Sequence, residues 1–308
     1  MNEKVKLLAD NIEKAIIGKR DVIIKLIVAL LSGGHVLIED VPGVGKTRLV
    51  SALSASVDGK CNRIQFTPDL MPSDITGFTM INQKTGETEY RSGAAMCNFL
   101  LADEINRASP KAQSALLEIM EELQVSVDGV TYALPAPFMA LATQNPVETY
   151  GTYHLPEAQM DRFIMKLSVG YPAADEEMEI LDLGGEKKTA LSAVITLDDI
   201  TVLKNEVQNV AVHPTVKKYI IDIVTATRES EFTILGASPR GSIALHTAAK
   251  ALALINGRNY VVPDDVKALA TEVLAHRLML SPKGKSVYAV PEKAMAAILS
   301  AVPVPQVN

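Results

Sequence analysis

Nine residues, Glu39-Asp40-Val41-Pro42-Gly43-Val44-Gly45-Lys46-Thr47, constrain this chain more than any other stretch. They follow an apolar run at 35–38 and lead into a helical pattern over 48–57, giving the order strand, glycine-rich loop, helix. That order belongs to a parallel α/β sheet, in which the loop leaves the carboxyl end of a strand and a helix N-terminus turns its unpaired N–H groups toward an anion. Gly43 and Gly45 let the backbone come close to a phosphate. Lys46 is the mobile positive charge for β- and γ-phosphates, and the Thr47 hydroxyl is a ligand for Mg²⁺. The cofactors this predicts are ATP and Mg²⁺. Asp40, Val41, Pro42, Val44 and Arg48 are placed with the nucleotide-binding residues, together with Ile17 and Gly18 at the break before the second helix. One departure stands out: the strict pattern G-x-x-x-x-G-K-[ST] has glycine where this chain has Asp40.

A second apolar run, Asn98-Phe99-Leu100-Leu101-Ala102, ends in Asp103 and Glu104 and is followed by a helix that Ser109-Pro110 opens. Such a strand delivers its carboxylates at the same end of the sheet as the phosphate loop. Asp103 is the candidate to hold Mg²⁺ through its water shell, and Glu104 the candidate base for an attacking water. Alone, an acidic pair at a strand end is a solvated terminus; the phosphate loop upstream is what gives it chemistry.

With 308 residues, the chain exceeds the usual single core, and 48% hydrophobic content with 5% aromatics points to aliphatic packing. Cys61 and Cys97 lack metal-like spacing and are expected to be buried free thiols. The N-terminus has no signal-peptide pattern, and the apolar run at 22–31 is broken by Lys25 and too short to span a bilayer, so a cytoplasmic protein without a membrane span is expected. A net charge of −6 argues against a general nucleic-acid binder.

Periodicity predicts helices at 5–16 and 21–31, then strands at 35–39, 63–66, 98–103, 138–142 and 163–169. Alternating runs at 79–82 and 88–91 form one inserted hairpin, and 125–127 with 130–132 form another, around an Asp128-Gly129 type I′ turn. A helix at 111–124 lies between the hairpins. Beyond Tyr171-Pro172 the pattern turns helical, at 176–183, 197–208, 214–227, 239–255, 263–275 and 291–299, with a linker near 184–188. Two domains follow: an αβα nucleotide-binding core at 1–185 and a smaller all-α lid at 186–308.

Several stretches together closely resemble the MoxR family of AAA+ ATPases: residues 39–47, Gln65-Phe66-Thr67-Pro68-Asp69-Leu70-Met71-Pro72-Ser73-Asp74-Ile75-Thr76-Gly77, residues 101–110, Ala142-Thr143-Gln144-Asn145-Pro146, residues 155–163 and Gly236-Ala237-Ser238-Pro239-Arg240. The resemblance runs from about Ile16 to the chain end. An aspartate at the Asp40 position is common in that family. It implies an AAA+ P-loop core, a five-stranded parallel sheet flanked by helices with two inserted hairpins, followed by the helical lid. It assigns Asn145 as the first sensor and Arg240 as the second. Arg162 matches an arginine finger inserted into the neighbouring subunit, with Arg107 as second choice. It further implies a ring, a hexamer, that couples ATP hydrolysis to chaperone-like remodelling or maturation of a client complex, with a von Willebrand factor A domain protein as partner.

Plainer readings stand beside these. Asn145 before Pro146 is a common turn dipeptide, and Arg162 is read as a surface residue paired with Asp161 if the resemblance is set aside. Glu118, Glu121 and Glu122 read as a solvated helix face, and the five histidines show no metal spacing. Alternatives for function are a metal-chelatase or nucleic-acid-directed motor of the same fold, or a nucleotide-gated binding module without turnover; Asp103 and Glu104 together disfavour the last.

Overall fold

Short, near-continuous apolar runs put apolar residues on both faces of each strand and require a sheet covered on each side. The computed structural model describes residues 1–40, 43–84, 86–145, 152–182 and 191–306. Helices α1 (Glu3–Glu13) and α2 (Arg20–Leu31) lead to β1 (Val36–Glu39), α3 (Lys46–Ser56) and β2 (Cys61–Gln65). A short α4 (Pro72–Thr76) opens the first insert, the antiparallel pair β3 (Gly77–Ile81) and β4 (Thr88–Ser92). The chain continues through β5 (Phe99–Asp103), α5 (Pro110–Glu122) and the second hairpin, β6 (Gln124–Val127) with β7 (Val130–Ala133). Then β8 (Met139–Gln144), α6 (Glu157–Met160) and β9 (Met165–Leu167) complete a parallel sheet in the order β2-β5-β8-β1-β9.

Each expected strand is present within a few residues of its predicted bounds. Asp128 and Gly129 both have positive φ, 49° and 81°, as a type I′ turn demands. The expected linker at 184–188 falls outside the described residues. One expectation fails: Cys97 is buried, its thiol pushed up to about 12 by desolvation, whereas Cys61, on the outermost strand, is exposed. Along that strand Cys61, Arg63 and Gln65 alternate as exposed residues, so the thiol lies on the uncovered face.

Alternation sorts the strand residues into two cores. Val36, Ile38, Leu101, Leu141 and Leu167 face α1, α2, α3 and the lid helices in one apolar cluster. Leu37, Leu100, Ala102, Ala140 and Ala142 face α5 and the hairpins in the other. The alanines let α5 lie close to the strands, where Leu116, Ile119 and Met120 fill the space between.

The two hairpins pack on each other. Tyr90 stacks on Tyr132 with ring centroids 4.0 Å apart and planes 12° from parallel, and the Thr79 hydroxyl donates to Asp128. Phe78, Met80 and Ile81 remain exposed on the first hairpin.

After α7 (Ala174–Asp182) come α8 (Leu197–Asn209), α9 (Pro214–Glu229), α10 (Pro239–Ile255), α11 (Pro263–Leu274), α12 (Pro282–Tyr288) and α13 (Pro291–Ala301). The helical lid also contains an antiparallel pair, β10 (Thr233–Leu235) with β11 (Met279–Leu280), too short to leave a periodic signature in the sequence. Helix α10 packs on α2, and α11 on β9, which seats the lid against the β9 side of the sheet. No helix among the described residues is long and apolar enough to cross a membrane.

Candidate active site

Two groups of predicted residues lie on opposite edges of the sheet. At the carboxyl edge, Gly43 and Gly45 have φ of 87° and 89°, a backbone that residues with a Cβ rarely adopt. Gly45, the N-cap of α3, has no side chain to bond the first N–H groups, and the first turn holds no acid, an arrangement that favours an anion at the helix end. The Lys46 ammonium donates to the Asp40 carbonyl at 2.8 Å, which folds the lysine back along its own loop. Thr47 and Arg48 are exposed beside it, while Val44 is partly covered. Ile16 approaches Gly45, so the α1–α2 junction lies against the loop, with Ile17 half-buried and Gly18 exposed. Glu176 from α7 lies where a Cβ on Gly18 would stand. Val41 and Pro42 fall outside the described residues.

Asp103 and Glu104 end β5 next to this loop, separated from it by β8. Thr143, fully buried on β8, ties the pair together: its hydroxyl donates to Asp103 Oδ1 at 2.6 Å and accepts from the Glu104 N–H at 2.9 Å. Arg63 holds the other Asp103 oxygen at 2.7 Å. With both oxygens engaged, Asp103 suits water-mediated rather than direct contact with a cation. Glu104 turns out of the strand in a left-handed conformation, φ 55° and ψ 50°, and its carboxylate accepts from Gln65 at 2.6 Å and Arg107 at 2.8 Å. Arg107 thus reaches its own chain's glutamate. Asn145 is buried immediately after β8, between the ends of β5 and β1.

The departure at Asp40 has a physical reason. Its carboxylate accepts from the backbone N–H groups of Val169 at 2.5 Å and Gly170 at 2.8 Å and from the Ser168 hydroxyl at 3.2 Å. The expectation that Asp40 belongs with the nucleotide contacts is therefore corrected for its side chain, which anchors the loop to the exit of β9.

Arg162 and Arg240 do not join this cluster. Arg162 precedes β9, whose first residue pairs with the first residue of β1, so it lies at the amino edge. A four-residue strand spans about 13 Å, and the phosphate loop begins at its far end. Arg162 Nη2 lies 3.1 Å from one oxygen of Glu121, and Arg240 Nη2 pairs with the other. Glu121 is therefore an ion-pair partner of two arginines and not merely part of a solvated face. The expected Arg162–Asp161 pair is replaced as well: Asp161 binds Arg277 Nε at 2.7 Å and the Ser238 hydroxyl at 2.7 Å. Buried Arg277 also donates to the carbonyls of Phe163, at 2.7 Å, and Ile164, at 3.3 Å.

Sequence reasoning named neither Thr143 nor Gln65 individually, although both lie in stretches that carry the resemblance. For Glu121 and Arg277 no local pattern signals a role, because their partners are far away along the chain.

Residues 35–165 match the family model described as ATPase family associated with various cellular activities (AAA), and 225–295 match an AAA lid domain. The chain is 53% identical to the uncharacterized protein YeaC of Bacillus subtilis, over 96% of this chain and 93% of that one. It is 43% identical to Chaperone MoxR1 of Mycobacterium tuberculosis, over 96% and 81%. A crystal structure of a candidate ATPase from Cytophaga hutchinsonii, 39% identical, superposes with a TM-score of 0.91 over 98% of this chain and 95% of that one. The chain belongs to the MoxR family of AAA+ ATPases.

Proposed function

We propose that the protein binds ATP with Mg²⁺ at the carboxyl edge and hydrolyses it only in an assembly of several copies. The observation that carries this reading is the separation of the two edges: Glu104 and the phosphate loop lie at one, Arg162 and Arg240 with their shared Glu121 at the other. An arginine at the amino edge cannot reach its own chain's nucleotide, yet phosphoryl transfer gains most from a cation on the developing charge. In a ring, the amino edge of one copy faces the carboxyl edge of the next. Arg162 is then the finger and Arg240 a second cation for the neighbour's γ-phosphate.

Within one copy, the α3 N-terminus and Lys46 bind the phosphates, and Glu104, oriented by Gln65 and Arg107, accepts the proton of an attacking water that Asn145 helps position. The cation would supply charge neutralisation; the Thr47 hydroxyl and the Asp103 carboxylate are the hard oxygen donors that suit it. The core at 1–185 carries this chemistry and the lid at 186–308 follows it.

Turnover would serve chaperone-like remodelling of a partner complex, with a hexameric ring and a von Willebrand factor A domain protein as the assembly. The resemblance to a protein named as a chaperone supports this, as do the exposed apolar side chains of Phe78, Met80 and Ile81 on the first hairpin. Mixing tests the core of the proposal. Arg162→Ala and Glu104→Gln, each inactive alone, should regain turnover together, since the second supplies an intact arginine to the first; mixed rings of confirmed size without activity would overturn it.

A further inference from the structure

The amino edge holds an arrangement that the trans reading does not require. Arg162 and Arg240 come from different parts of the chain, the segment before β9 and the first turn of α10, yet their tips meet on the two oxygens of one carboxylate, Glu121 at the end of α5. Their roots are joined separately. Ser238, the N-cap of α10, donates to Asp161 and accepts from the Arg240 N–H at 3.1 Å, and Asp161, next to Arg162, is gripped by buried Arg277. Root placement therefore rests on a buried network that does not involve Glu121. The tips line a cleft of about 280 Å³ at the seam of core and lid, where Gly34 lies flat against Ile164. Arg162 Nε is buried there without a hydrogen-bond partner among the described residues. A guanidinium donor left unpaired marks an arrangement that is not the one this arginine binds best.

We propose that Glu121 is a displaceable counter-ion: it holds the two arginine tips together in the unassembled protomer and gives them up to the terminal phosphate of a neighbouring copy's nucleotide. This rests on the reading that both arginines act in trans. A carboxylate and a phosphoryl group each offer paired oxygens to an arginine fork. The ion pairs at Glu121 are half-exposed, with side-chain exposures of 38% for Glu121, 30% for Arg162 and 52% for Arg240, so water weakens them. A phosphate brings more charge into a cleft that the neighbour closes. Glu121 also relieves the repulsion of two adjacent cations while no neighbour is present. It thereby competes with assembly, and neutralising it should make assembly easier, because the roots keep the arginines in place.

The test is turnover as a function of protein concentration. Glu121→Gln should lower the concentration giving half-maximal ATPase by about three- to tenfold, with ATP affinity of the separated protomer unchanged, since the phosphate loop is on the other edge. Arg240→Ala should move that concentration upward. Glu121→Ala should act in the same direction as Glu121→Gln, which separates a charge effect from a fault of one substitution. An unchanged or raised half-maximal concentration in both Glu121 variants would overturn the counter-ion proposal while leaving trans action intact. Wild-type turnover per protomer that is the same at every concentration, with sizing showing single copies throughout, would overturn trans action and this proposal with it.

Discussion

The carboxyl and amino edges of the sheet both gather charged groups, but they are built in opposite ways. At the carboxyl edge the candidate anion site is mostly main chain: a helix end capped by glycine and two glycines with positive φ, within a run of nine residues. At the amino edge it is side chain alone, with Glu121 reaching Arg240 across 119 positions and Asp161 reaching Arg277 across 116. The loop takes its conformation from its own strand and helix, and needs the distant exit of β9 only to anchor Asp40. A pair of arginines drawn from core and lid is placed only when both are folded and seated, so the second edge depends on the whole molecule far more than the first.

The sharpest way to break this comparison is Arg162→Ala. If the amino edge serves a neighbour's transition state, turnover should fall about 10³-fold, roughly 4 kcal/mol, with ATP binding at the carboxyl edge retained. Equal losses of binding and turnover would show that the edges are not separate.

Acid should also tell them apart. His35, just before β1, is neutral, donating from Nε2 to the Met120 carbonyl at 2.9 Å and accepting from the Ala140 N–H at 3.0 Å. Burial lowers it to about 4, and His276, on the same edge, is lowered too, by burial and then by Arg277. A folded imidazole held below its unfolded value near 6.5 favours the neutral form. Its contribution is therefore complete above pH 6.5 and is lost as pH falls from 6.5 toward 4, about 3 kcal/mol for His35. Denaturant unfolding at pH 7.5 and 4.5 measures that loss, which should shrink in a His35→Gln variant; a flat profile would contradict it.

Next in size, Glu104→Gln should slow hydrolysis about 10²-fold while ATP still binds, and Lys46→Ala should instead lose affinity. Binding isotherms beside turnover separate the two. The smallest change expected comes from Asp40→Gly, which restores the strict phosphate-loop pattern. By removing the carboxylate from Val169, Gly170 and Ser168 it should cost about 2 kcal/mol of stability. A more stable protein with tighter ATP binding would mean that the aspartate does not anchor the loop.

The same contrast explains what could be read from the sequence. The strands, the long helices, the phosphate loop and the hairpin turn at Asp128-Gly129 each rest on local rules, period two, period 3.6 and positive φ, which neighbouring residues spell out. The short elements α4, α6, α12 and the pair β10–β11 have too few residues for a period to show. Asp40 looked like a flaw in a motif because its partners stand 128 to 130 positions later. Glu121 looked like one of several solvated acids, since nothing in its own helix distinguishes it from Glu118 or Glu122. Side-chain pairing between distant segments obeys no spacing rule, and only the fold could assign these partners.

The stacked tyrosines of the two hairpins carry a mechanical consequence. Because Tyr90 and Tyr132 lie face to face and Thr79 is tied to Asp128, the inserts form a yoke rather than two independent arms. A pull on the exposed first hairpin would be shared between two anchorages, one through α4, which leads into β3, and the other through the end of α5, which leads into β6. The second of these runs into Glu121 and its arginines, so in the proposed ring a load borne by the yoke would be felt at the seam between copies.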